Sequence, residues 1–570
     1  MKEKIQKLIQ QVLKNLEIQD AGFSIEHPED FKNGDYSTNV AMVCAKQLKT
    51  NPKELAEKIV KEIQTPSASG TSPLAGGENT IEKIEVAGPG FINFYLSREF
   101  FTDSVNNILS KGENWGKNNE GNNKKVIVEY SSPNIAKPFT VGHLRSTIIG
   151  DSIARILTFS GFNVIRDNHL GDWGTQFGKL IVAIKKWGNL DEIEKSETPI
   201  KLLVGLYVKF HDEAEKDVGL EDEARASFAK LEKKDEEAID IWKRCIEISK
   251  KEFDRIYKKL KITSFDTMYG ESFFEDKMAT VIDDVKGKNI GKESEGAFIV
   301  EFEEDKNLSP LLLLKKDGSS LYALRDLAAD KWRKKEYGDD IKIINEVGAE
   351  QTEYFRQIFE TEEMLGYFKK GDRVHIAHGL YRFAEGKMST RKGNVIWLED
   401  IINEAEKRAG EINKETKEVV AIGALKFNDL KRDSLKDILF NWEEILNIKG
   451  DSGTYLQYTA VRANSILNKA KEFDQKPNTK NQTPTETIDL EKYLYQFPEI
   501  VEYSYESLQP HHIATYLTKL ASEFNTFYGN TQILVEDNKY ILYHLDLIKA
   551  FTQTMKNGLW LLGIETPEKM

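Results

Sequence analysis

Residues 134–145 carry side chains that could bind phosphate. Gly142 and His143 open a stretch with helical spacing of apolar residues, and Lys137 lies in the loop just before it. The first turn of a helix offers free backbone N–H groups and the positive end of the helix dipole, which both favour anions. Gly142 leaves room for a ligand, and the other two residues add an imidazole donor and a cation. Taken alone, a surface histidine at an ordinary helix start is the simpler explanation.

A second candidate segment is the basic loop G-K-M-S-T-R-K-G-N at residues 386–394. Lys387, Arg391 and Lys392 place three cations within six residues, and Ser389 adds a hydroxyl donor. Such a loop can clamp a polyphosphate and stabilise the charge that builds on pyrophosphate as it leaves. In isolation, a solvated basic turn is the simpler explanation here too. Both segments in one chain, about 240 residues apart, favour a phosphate-handling site.

The elements around the first segment predict a nucleotide-binding sheet. The apolar run K-V-I-V-E-Y at 125–130 suits a buried parallel strand, and F-N-V-I-R-D at 162–167 suits another. Between them apolar residues recur at helical spacing until Gly161, which is expected to end the helix. Strand, loop, helix and strand in this order open a doubly wound fold. The runs at 341–347 and 374–377 are expected to join the same sheet.

The rest of the chain follows other patterns. Residues 1–64 have helical spacing, and strand-like runs at 81–86 and 91–96 follow, which predicts a small α+β unit. A charge-dense helical stretch at 200–260 is expected to be a solvated insertion rather than a functional charge patch. Helical periodicity dominates from about residue 400 to the end, as in an all-α bundle.

Together these patterns predict a multidomain α/β protein. Its expected parts are an N-terminal α+β domain (1–110), a Rossmann-like domain (111–400) with a helical insertion (about 185–265), a helical connection (401–450) and an all-α helical bundle (451–570). The Pro/Gly/Ser-rich stretch 65–80 and the polar stretch 474–488 are expected to be loops.

Composition limits the class of protein. With 40% hydrophobic and 30% charged residues the chain is expected to be globular, and no apolar run approaches the roughly 20 residues that span a bilayer. Charges interrupt the N-terminus, unlike a secretory signal. Cys44 and Cys245 lie far apart, which argues against disulfides and a cysteine zinc site and favours a cytoplasmic location. The net charge of −13 weakens a general nucleic-acid-coating role but leaves docking of one specific RNA open.

The two basic segments resemble the HIGH and KMSKS motifs of class I aminoacyl-tRNA synthetases, at residues 140–143 and 387–391. The strings S-S-P-N-I-A-K-P-F-T-V-G-H-L-R-S-T and K-M-S-T-R-K-G-N resemble the arginine enzymes in particular. Further matching strings are G-D-Y-S-T-N-V-A-M near the start, G-D-W-G-T-Q-F-G at 171–178, L-Y-A-L-R-D-L-A at 321–328, Y-L-Q-Y-T-A-V-R-A at 455–463 and L-G-I-E-T-P-E-K-M at the C-terminus. The resemblance covers nearly the whole chain and is very specific.

The resemblance implies arginyl-tRNA synthetase activity. In that reaction the carboxylate of L-arginine attacks the α-phosphorus of ATP, pyrophosphate leaves, and the arginyl group passes to the 3′-terminal adenosine of tRNA(Arg). No protein nucleophile is required, so the protein positions the reactants and stabilises charge, with Mg²⁺ sharing the phosphate charge. The expected partners are therefore L-arginine, ATP with Mg²⁺ and tRNA(Arg). No zinc, no metal held by the protein and no membrane are expected, and the expected state is a monomer.

The resemblance also implies roles for single residues. The expected catalytic residues are Lys137, His143 and Lys387, and the expected ATP-binding residues are Lys137, Thr140, Gly142, His143, Lys387, Met388 and Ser389. Thr140 replaces the first histidine of HIGH, and Thr390 replaces the second lysine of KMSKS. In arginine enzymes with the second departure, the lysine just upstream of HIGH is thought to take over, and Lys137 occupies this position.

Specificity for arginine is expected to rest on carboxylates. A guanidinium presents five N–H donors in a planar fork, and each charge-assisted bond contributes about 1.5–3 kcal/mol. By resemblance, the residues around the arginine are Glu129, Asn134, Tyr322, Asp326 and Gln351. Tyr322 and Asp326 are four residues apart, so a helix would place both on one face. Without the resemblance, a salt bridge with the neighbouring Arg325 or a charge on the first turn of a helix is the better explanation of Asp326.

Aromatic residues near the C-terminus are candidates for RNA binding. Tyr455, Tyr458 and Arg462 have the spacing of one helix face, and stacking of an unpaired base on such a face contributes about 1–3 kcal/mol. By spacing alone, a stripe of this kind belongs to a core more often than to an interface. Resemblance to the anticodon-binding domain of the family favours RNA and adds Tyr528 and Met570. The N-terminal domain resembles the family's module that contacts the elbow of tRNA.

Two other functions compete with this one. A class I synthetase for glutamine or glutamate is the nearest, but glutamate would require a cation where Glu129 and Asp326 are expected. The second is a catalytically silent RNA-binding relative, for which Thr140 and Thr390 leave some room. Such a protein is expected to have lost Lys137, His143 and Lys387 together, and the sequence retains all three.

Overall fold

The computed structural model describes residues 1–19, 22–64, 80–383, 396–472, 482–535 and 538–570. The chain forms two compact units. The first unit comprises residues 1–115, 463–497 and 519–554, and the second comprises residues 116–462, 498–518 and 555–570. The four-part division expected from the sequence stays a prediction. The expected loops at 65–80 and 474–488 lie mostly outside the described residues.

The first unit begins with a small α+β arrangement. Its N-terminal elements are α1 (Lys2–Asn15), β1 (Ile25–Glu26), β2 (Tyr36–Thr38), α2 (Val40–Leu48), α3 (Pro52–Gln64), β3 (Ile81–Ala87), β4 (Phe91–Leu96) and α4 (Arg98–Lys111). The strands form an antiparallel sheet in the order β1–β2–β4–β3. The helices α1 and α3 each bury apolar residues three to four positions apart against a core that includes Tyr36 and Phe94.

The sequence prediction of helix throughout residues 1–64 is wrong for β1 and β2, which lie between α1 and α2. Strands of two and three residues are too short to show an alternating pattern, so periodicity could not reveal them. The start of α3 is stabilised by Asn51, whose Oδ1 accepts a hydrogen bond of 2.9 Å from the backbone N–H of Lys53.

The second unit contains the larger α/β arrangement. Its strands are β5 (Lys125–Glu129), β6 (Asn163–Asp167), β7 (Gly291–Ser294), β8 (Ala297–Val300), β9 (Leu311–Leu314), β10 (Lys342–Gly348), β11 (Arg373–His378), β12 (Tyr381–Phe383) and β13 (Ile438–Phe440). Its helices up to residue 445 are α5 (Val141–Phe159), α6 (Thr175–Trp187), α7 (Leu190–Lys195), α8 (Pro199–Ala214), α9 (Gly219–Glu232), α10 (Glu236–Lys259), α11 (Met278–Gly287), α12 (Tyr322–Tyr337), α13 (Thr352–Leu365), α14 (Leu398–Ile412), α15 (Lys417–Leu430) and α16 (Trp442–Ile445).

A parallel sheet in the order β11–β10–β5–β6 positions the functional residues. The apolar side chains of β5, Val126 to Val128, are fully buried, as the sequence predicts for a strand covered on both faces. Since β5 comes first in the chain but pairs with β6 on one side and β10 on the other, the sheet has a topological switch point there. Ligands bind at the carboxyl ends of the strands flanking such a point.

The helix α5 packs closely on this sheet. Gly150 allows the approach, because a Cβ at this position would collide with the ring of Tyr130, the residue that follows β5. The helix ends before Gly161, whose φ of 85° favours glycine, as the sequence predicts. Its start is anchored by the fully buried Arg145, which donates to Asp429 (3.2 Å) and to the backbone oxygen of Ser434 (3.1 Å).

The remaining parts of the second unit surround the parallel sheet. The helical insertion α6–α10 has exposed ion pairs on its surface, such as Lys185–Glu237 at 2.6 Å, which supports the prediction of a solvated insertion. Strands β7–β9 form a separate antiparallel sheet, and β12 pairs in parallel with β13. These short strands were not predicted from the sequence.

The C-terminal part is helical, as predicted. Its helices are α17 (Gly453–Glu472), α18 (Asp489–Leu494), α19 (Phe497–Ser507), α20 (His511–Asn530) and α21 (Ile541–Leu561). In the second unit, Lys426 Nζ donates to the oxygen of Gly563 (2.7 Å), and Gln457 donates to the oxygen of Glu565 (2.7 Å). These bonds fix the last residues of the chain. Among the described helices, none is long and apolar enough to cross a membrane.

Candidate active site

A cavity of about 490 Å³ opens at the carboxyl ends of β5 and β10, beside the switch point of the sheet. Eight of the residues that the sequence places near arginine or ATP line it: Glu129, Asn134, Thr140, Gly142, His143, Tyr322, Asp326 and Gln351. The expected carboxylates and the start of the predicted phosphate-binding helix therefore share one cavity. Lys387, Met388 and Ser389, with Thr390, lie outside the described residues.

His143 lies on the first turn of α5 with one ring nitrogen already engaged. The backbone N–H of Thr140 donates to His143 Nδ1 at 3.0 Å, so Nδ1 is an acceptor and the proton of the neutral ring lies on Nε2. Burial lowers the pKa of His143 to about 4, and the charge of Lys137 contributes. The ring is therefore neutral at physiological pH and can donate one hydrogen bond from Nε2. The backbone N–H of Thr140 thus sets the tautomer of His143.

Lys137 lies half-buried in the loop before α5, close enough to influence both sides of the cavity. Burial lowers the pKa of Lys137, and the carboxylate of Glu271 opposes that shift. The same lysine charge lowers the pKa of His143. Lys137 therefore places a positive charge within electrostatic reach of the first turn of α5.

The loop between β5 and α5 has an unusual backbone. Ser131, Ser132 and Ala136 have positive φ values of 74°, 41° and 55°, which cost free energy for residues with a side chain. Hydrogen bonds hold the loop in this shape, because Ser146 Oγ accepts from the N–H of Ser131 (2.9 Å) and Ser249 Oγ accepts from that of Ala136 (2.9 Å). Helices α5 and α10 thereby fix the path of the residues that reach the cavity.

The string at 171–178 supports this loop, which explains a motif that the sequence leaves without a role. Gly171 pairs with Asn134 as a parallel bridge, and a Cβ at Gly171 would collide with the Asn134 side chain. The next residue, Asp172, accepts hydrogen bonds from the backbone N–H (2.8 Å) and the hydroxyl (2.6 Å) of Ser272. The string therefore joins the Asn134 loop to the segment that carries Glu271.

Asp326 is paired with a tyrosine rather than an arginine. The hydroxyl of Tyr354 donates to Asp326, and the rings of Tyr322 and Tyr354 lie 4.9 Å apart. Arg325, the alternative partner suggested by the sequence, instead pairs with Glu275. The carboxylate of Asp326 thus faces the cavity with its charge uncompensated by Arg325.

Glu271 is a further carboxyl group in the wall of the cavity. Burial raises the pKa of Glu271 to about 7, with Asp326 contributing, and burial raises the pKa of Asp326 to about 6, with Glu129 contributing. His169 lowers both values, and neither of its buried ring nitrogens has a hydrogen-bond partner among the described residues. On this side of the cavity Arg325 Nη1 lies 3.9 Å from Glu271, whereas Asp326 has no ion pair among the described residues.

Family models match three consecutive parts of the chain. They are the arginyl tRNA synthetase N-terminal domain at residues 3–96, the catalytic domain of tRNA synthetases class I (R) at residues 104–442, and the DALR anticodon binding domain at residues 456–570. The catalytic-domain model alone covers more than half of the chain.

Individual proteins agree with the family models. The chain is 41% identical to the arginine–tRNA ligase of Halothermothrix orenii, over 100% of this chain and 99% of that protein. It is 43% identical to the arginine–tRNA ligase of Clostridium perfringens, over 98% and 97% of the two chains. The chain belongs to the arginyl-tRNA synthetase family. The solved arginyl-tRNA synthetase of Plasmodium falciparum superimposes with a TM-score of 0.81 at 27% identity, covering 100% of this chain and 99% of that one.

Four of the five residues expected to bind the anticodon lie on helices α17 and α20, and Met570 follows the last helix. On α17, Arg462 donates to the hydroxyl of Tyr458 (3.1 Å) and lies 4.8 Å from the centre of its ring. Tyr458 is 36% exposed and Tyr528, on α20, is 41% exposed, so neither ring is a core residue. Met570 packs partly buried against the core of the second unit. Tyr455 also lies on α17 and is mostly buried.

Several cavity residues of this synthetase were missed by sequence reasoning. They are Glu271, Tyr354, His169 and Arg333. Only Arg333 had a usable signal, since it follows Tyr322 and Asp326 on α12 at helical spacing. The other three reach the cavity through tertiary contacts that a single sequence does not display.

The raised carboxyl pKa values predict a pH-dependent affinity for arginine. A bound cation favours ionised carboxyl groups, so protonation of Glu271 near pH 7 and Asp326 near pH 6 must weaken binding as the pH falls. The KM for arginine in ATP–pyrophosphate exchange is expected to rise by up to about tenfold per pH unit for each group below its pKa. Glu271→Gln is expected to remove the step near pH 7 and keep the lower one. A KM that stays constant from pH 8 to pH 5.5 would contradict the prediction.

Proposed function

We propose that the chain activates L-arginine with ATP to arginyl-adenylate and pyrophosphate, and then transfers the arginyl group to the 3′-terminal adenosine of tRNA(Arg). The single observation that carries this proposal is the shared cavity. Its carboxylates suit a guanidinium, and the start of α5 suits a phosphate, so both reactants fit within reach of each other. The enzyme is a ligase by membership of its family.

The phosphate side of the reaction is assigned to three groups. The first turn of α5 supplies backbone N–H groups. The space beside Gly142 is open, since a Cβ at this position would have only the Thr140 hydroxyl within 4 Å, at 3.5 Å, and a ligand can therefore approach the backbone there. The Nε2–H of His143 donates to a phosphate oxygen. Lys137 supplies a positive charge that becomes more valuable as negative charge moves onto the α-phosphate and the leaving pyrophosphate.

Residues outside the described part complete the proposed ATP site. Lys387 and Ser389 are proposed to bind the leaving phosphates, and Met388 to contact the nucleotide, on the basis of their positions in the motif. Mg²⁺ is proposed to be held mainly by the ATP phosphates, as is usual for this ion. The described residues contain no group of three or more His, Cys, Asp or Glu arranged to hold a metal.

The arginine side is assigned to carboxylates and their neighbours. Asp326 and Glu129 are proposed to accept from the guanidinium, and Asn134, Tyr322 and Gln351 to hold the α-amino, carboxylate or side-chain groups. Buried carboxylates bind a planar cation more strongly than solvent-exposed carboxylates do, because less water competes with the cation for their oxygens.

The tRNA is assigned to residues that do not line the cavity. Tyr455, Tyr458, Arg462, Tyr528 and Met570 are proposed to bind the anticodon, supported by the match to an anticodon-binding domain over residues 456–570. The exposed cation–π pair of Arg462 and Tyr458 is a surface on which an unpaired base can stack. The chain is proposed to act as a monomer in the cytoplasm, and its two buried cysteines, Cys44 and Cys245, do not form a disulfide, which fits a reducing compartment.

The function is tested with purified protein, Mg²⁺–ATP and each of the twenty amino acids. ATP–pyrophosphate exchange, run with and without total tRNA, is expected to proceed with arginine and not with glutamine or glutamate. Labelled arginine is expected to become attached to tRNA. Absence of both activities would contradict the proposal and favour a silent RNA-binding protein, while exchange with another amino acid would favour a synthetase of different specificity.

The proposed role of Lys137 gives a second prediction. Lys137→Ala is expected to lower the rate of arginine activation by about 100-fold or more, because one stabilising donor for the transition state is lost. Lys125→Ala is the matched control, since Lys125 lies exposed at the opposite end of β5, where it donates to the backbone oxygen of Tyr337 (3.1 Å). Single-turnover kinetics measure the rate, and circular dichroism verifies the fold. A nearly normal rate in Lys137→Ala would remove this residue from the mechanism.

A further inference from the structure

One face of α12 places an arginine of the chain itself beside the proposed arginine site. Tyr322, Asp326, Asp330 and Arg333 follow one another at intervals of four, four and three residues, and all four line the cavity. Such spacing keeps side chains on the same side of a helix. Arg333 therefore lies about two turns along α12 from Asp326, deeper in the fold, with only 3% of its surface exposed.

The guanidinium of Arg333 is fully engaged by carboxylates. Its Nη2 pairs with Glu129 Oε2 at 2.5 Å and with Asp167, and its Nη1 pairs with Asp330 at 2.8 Å. Glu129 and Asp167 are neighbours in the register of β5 and β6, so both reach Arg333 from the ends of adjacent strands. Breaking these buried ion pairs would be costly, so the side chain of Arg333 is held in one position.

A second arginine extends this buried network. Arg373 pairs with Asp330 at 2.6 Å and with Glu362, and it donates to Asn345 at 3.0 Å. Two arginines thus pair with four carboxyl groups, those of Glu129, Asp167, Asp330 and Glu362. Asp326 and Glu271 do not pair with either arginine among the described ion pairs.

The two carboxylate oxygens of Glu129 therefore have different surroundings. Its described ion pair uses Oε2 only, and the structure describes no hydrogen bond to Oε1. Since Glu129 also lines the cavity, Oε1 is the oxygen left for a ligand. Without Arg333, the carboxylate could rotate, and its full charge would stand next to that of Asp167.

We propose that Arg333 is a positioning residue for arginine recognition: by holding Oε2 of Glu129, it presents Oε1 to the substrate guanidinium and keeps that guanidinium on the Asp326 side of the cavity. Arg333 already engages the carboxylates of Asp167 and Asp330, so these two groups do not compete with Asp326 for the substrate guanidinium. This inference rests on the proposed function and adds a specificity determinant to it.

The test is a double-mutant cycle on Arg333 and Glu129, read by ATP–pyrophosphate exchange. Arg333→Met is expected to raise the KM for arginine by about 10- to 100-fold while the KM for ATP stays unchanged. In a Glu129→Gln background, the same substitution is expected to change the KM for arginine little, because its effect passes through Glu129. Arg333→Lys, which keeps the charge without the planar fork, is expected to be intermediate.

Two controls separate positioning from general damage. Asp167→Asn removes another partner of Arg333 but leaves the Glu129 pair, so the KM for arginine is expected to stay close to that of the unmodified protein. Arg98→Met breaks a comparable buried pair with Glu491 in the first unit and is expected to leave the KM for arginine unchanged. If Arg333→Met does not fold, as judged by circular dichroism, the same cycle is run with Arg333→Lys.

Three results would overturn the proposal. They are an unchanged KM for arginine in the Arg333 variants, effects of Arg333 and Glu129 substitutions that simply add, or equal losses of affinity for arginine and ATP. The unmodified protein must first exchange pyrophosphate with arginine. If it does not, the proposed function fails, and that failure is distinct from a failure of the role of Arg333.

Discussion

The structure depends on three carboxyl groups that are buried in one cavity, of which Asp326 has no partner cation among the described residues. Glu129, Glu271 and Asp326 line one cavity, and burial raises the pKa of the last two. Keeping such groups ionised costs free energy until a cation enters. A guanidinium relieves this cost well, since it keeps its charge at all physiological pH values and offers several donors in one plane.

The fold places this acidic side next to a positive one. The switch point of the parallel sheet opens the cavity between β5 and β10, and α5 then directs its N-terminus toward the same space. His143 and Lys137 lie on that side, while α12 aligns Tyr322 and Asp326 on the other. An amino acid held by its side chain at the acidic side can extend its carboxylate toward a phosphate at the helix start. The fold therefore holds the acidic side of the cavity and the N-terminus of α5 at a fixed separation, which positions the amino acid carboxylate to react with the phosphate.

Much of this arrangement was predictable from local sequence signals. The strands β5 and β10 at the centre of the parallel sheet have buried apolar runs, and α5 has a phosphate-binding start and a terminal glycine. The periodicity of apolar residues and the signals at the helix ends were therefore sufficient to predict these elements. Strands β1 and β2 were missed because they are too short to show a period, and Glu271 was missed because its contact with Asp326 is tertiary. Arg333 was overlooked although it shares a face of α12 with Asp326, because a buried arginine with three carboxylate partners cannot be recognised without the neighbouring strands.

The central claim is that desolvated carboxylates select the charge of the substrate rather than its length. The most direct measurement compares binding of arginine and citrulline by isothermal titration calorimetry, with and without ATP, because citrulline has the same length and carries a neutral urea group. Arginine is expected to bind at least about 100-fold more tightly, since citrulline leaves the charged acceptors without matched donors. Affinities for the two amino acids within about threefold of each other would contradict the account.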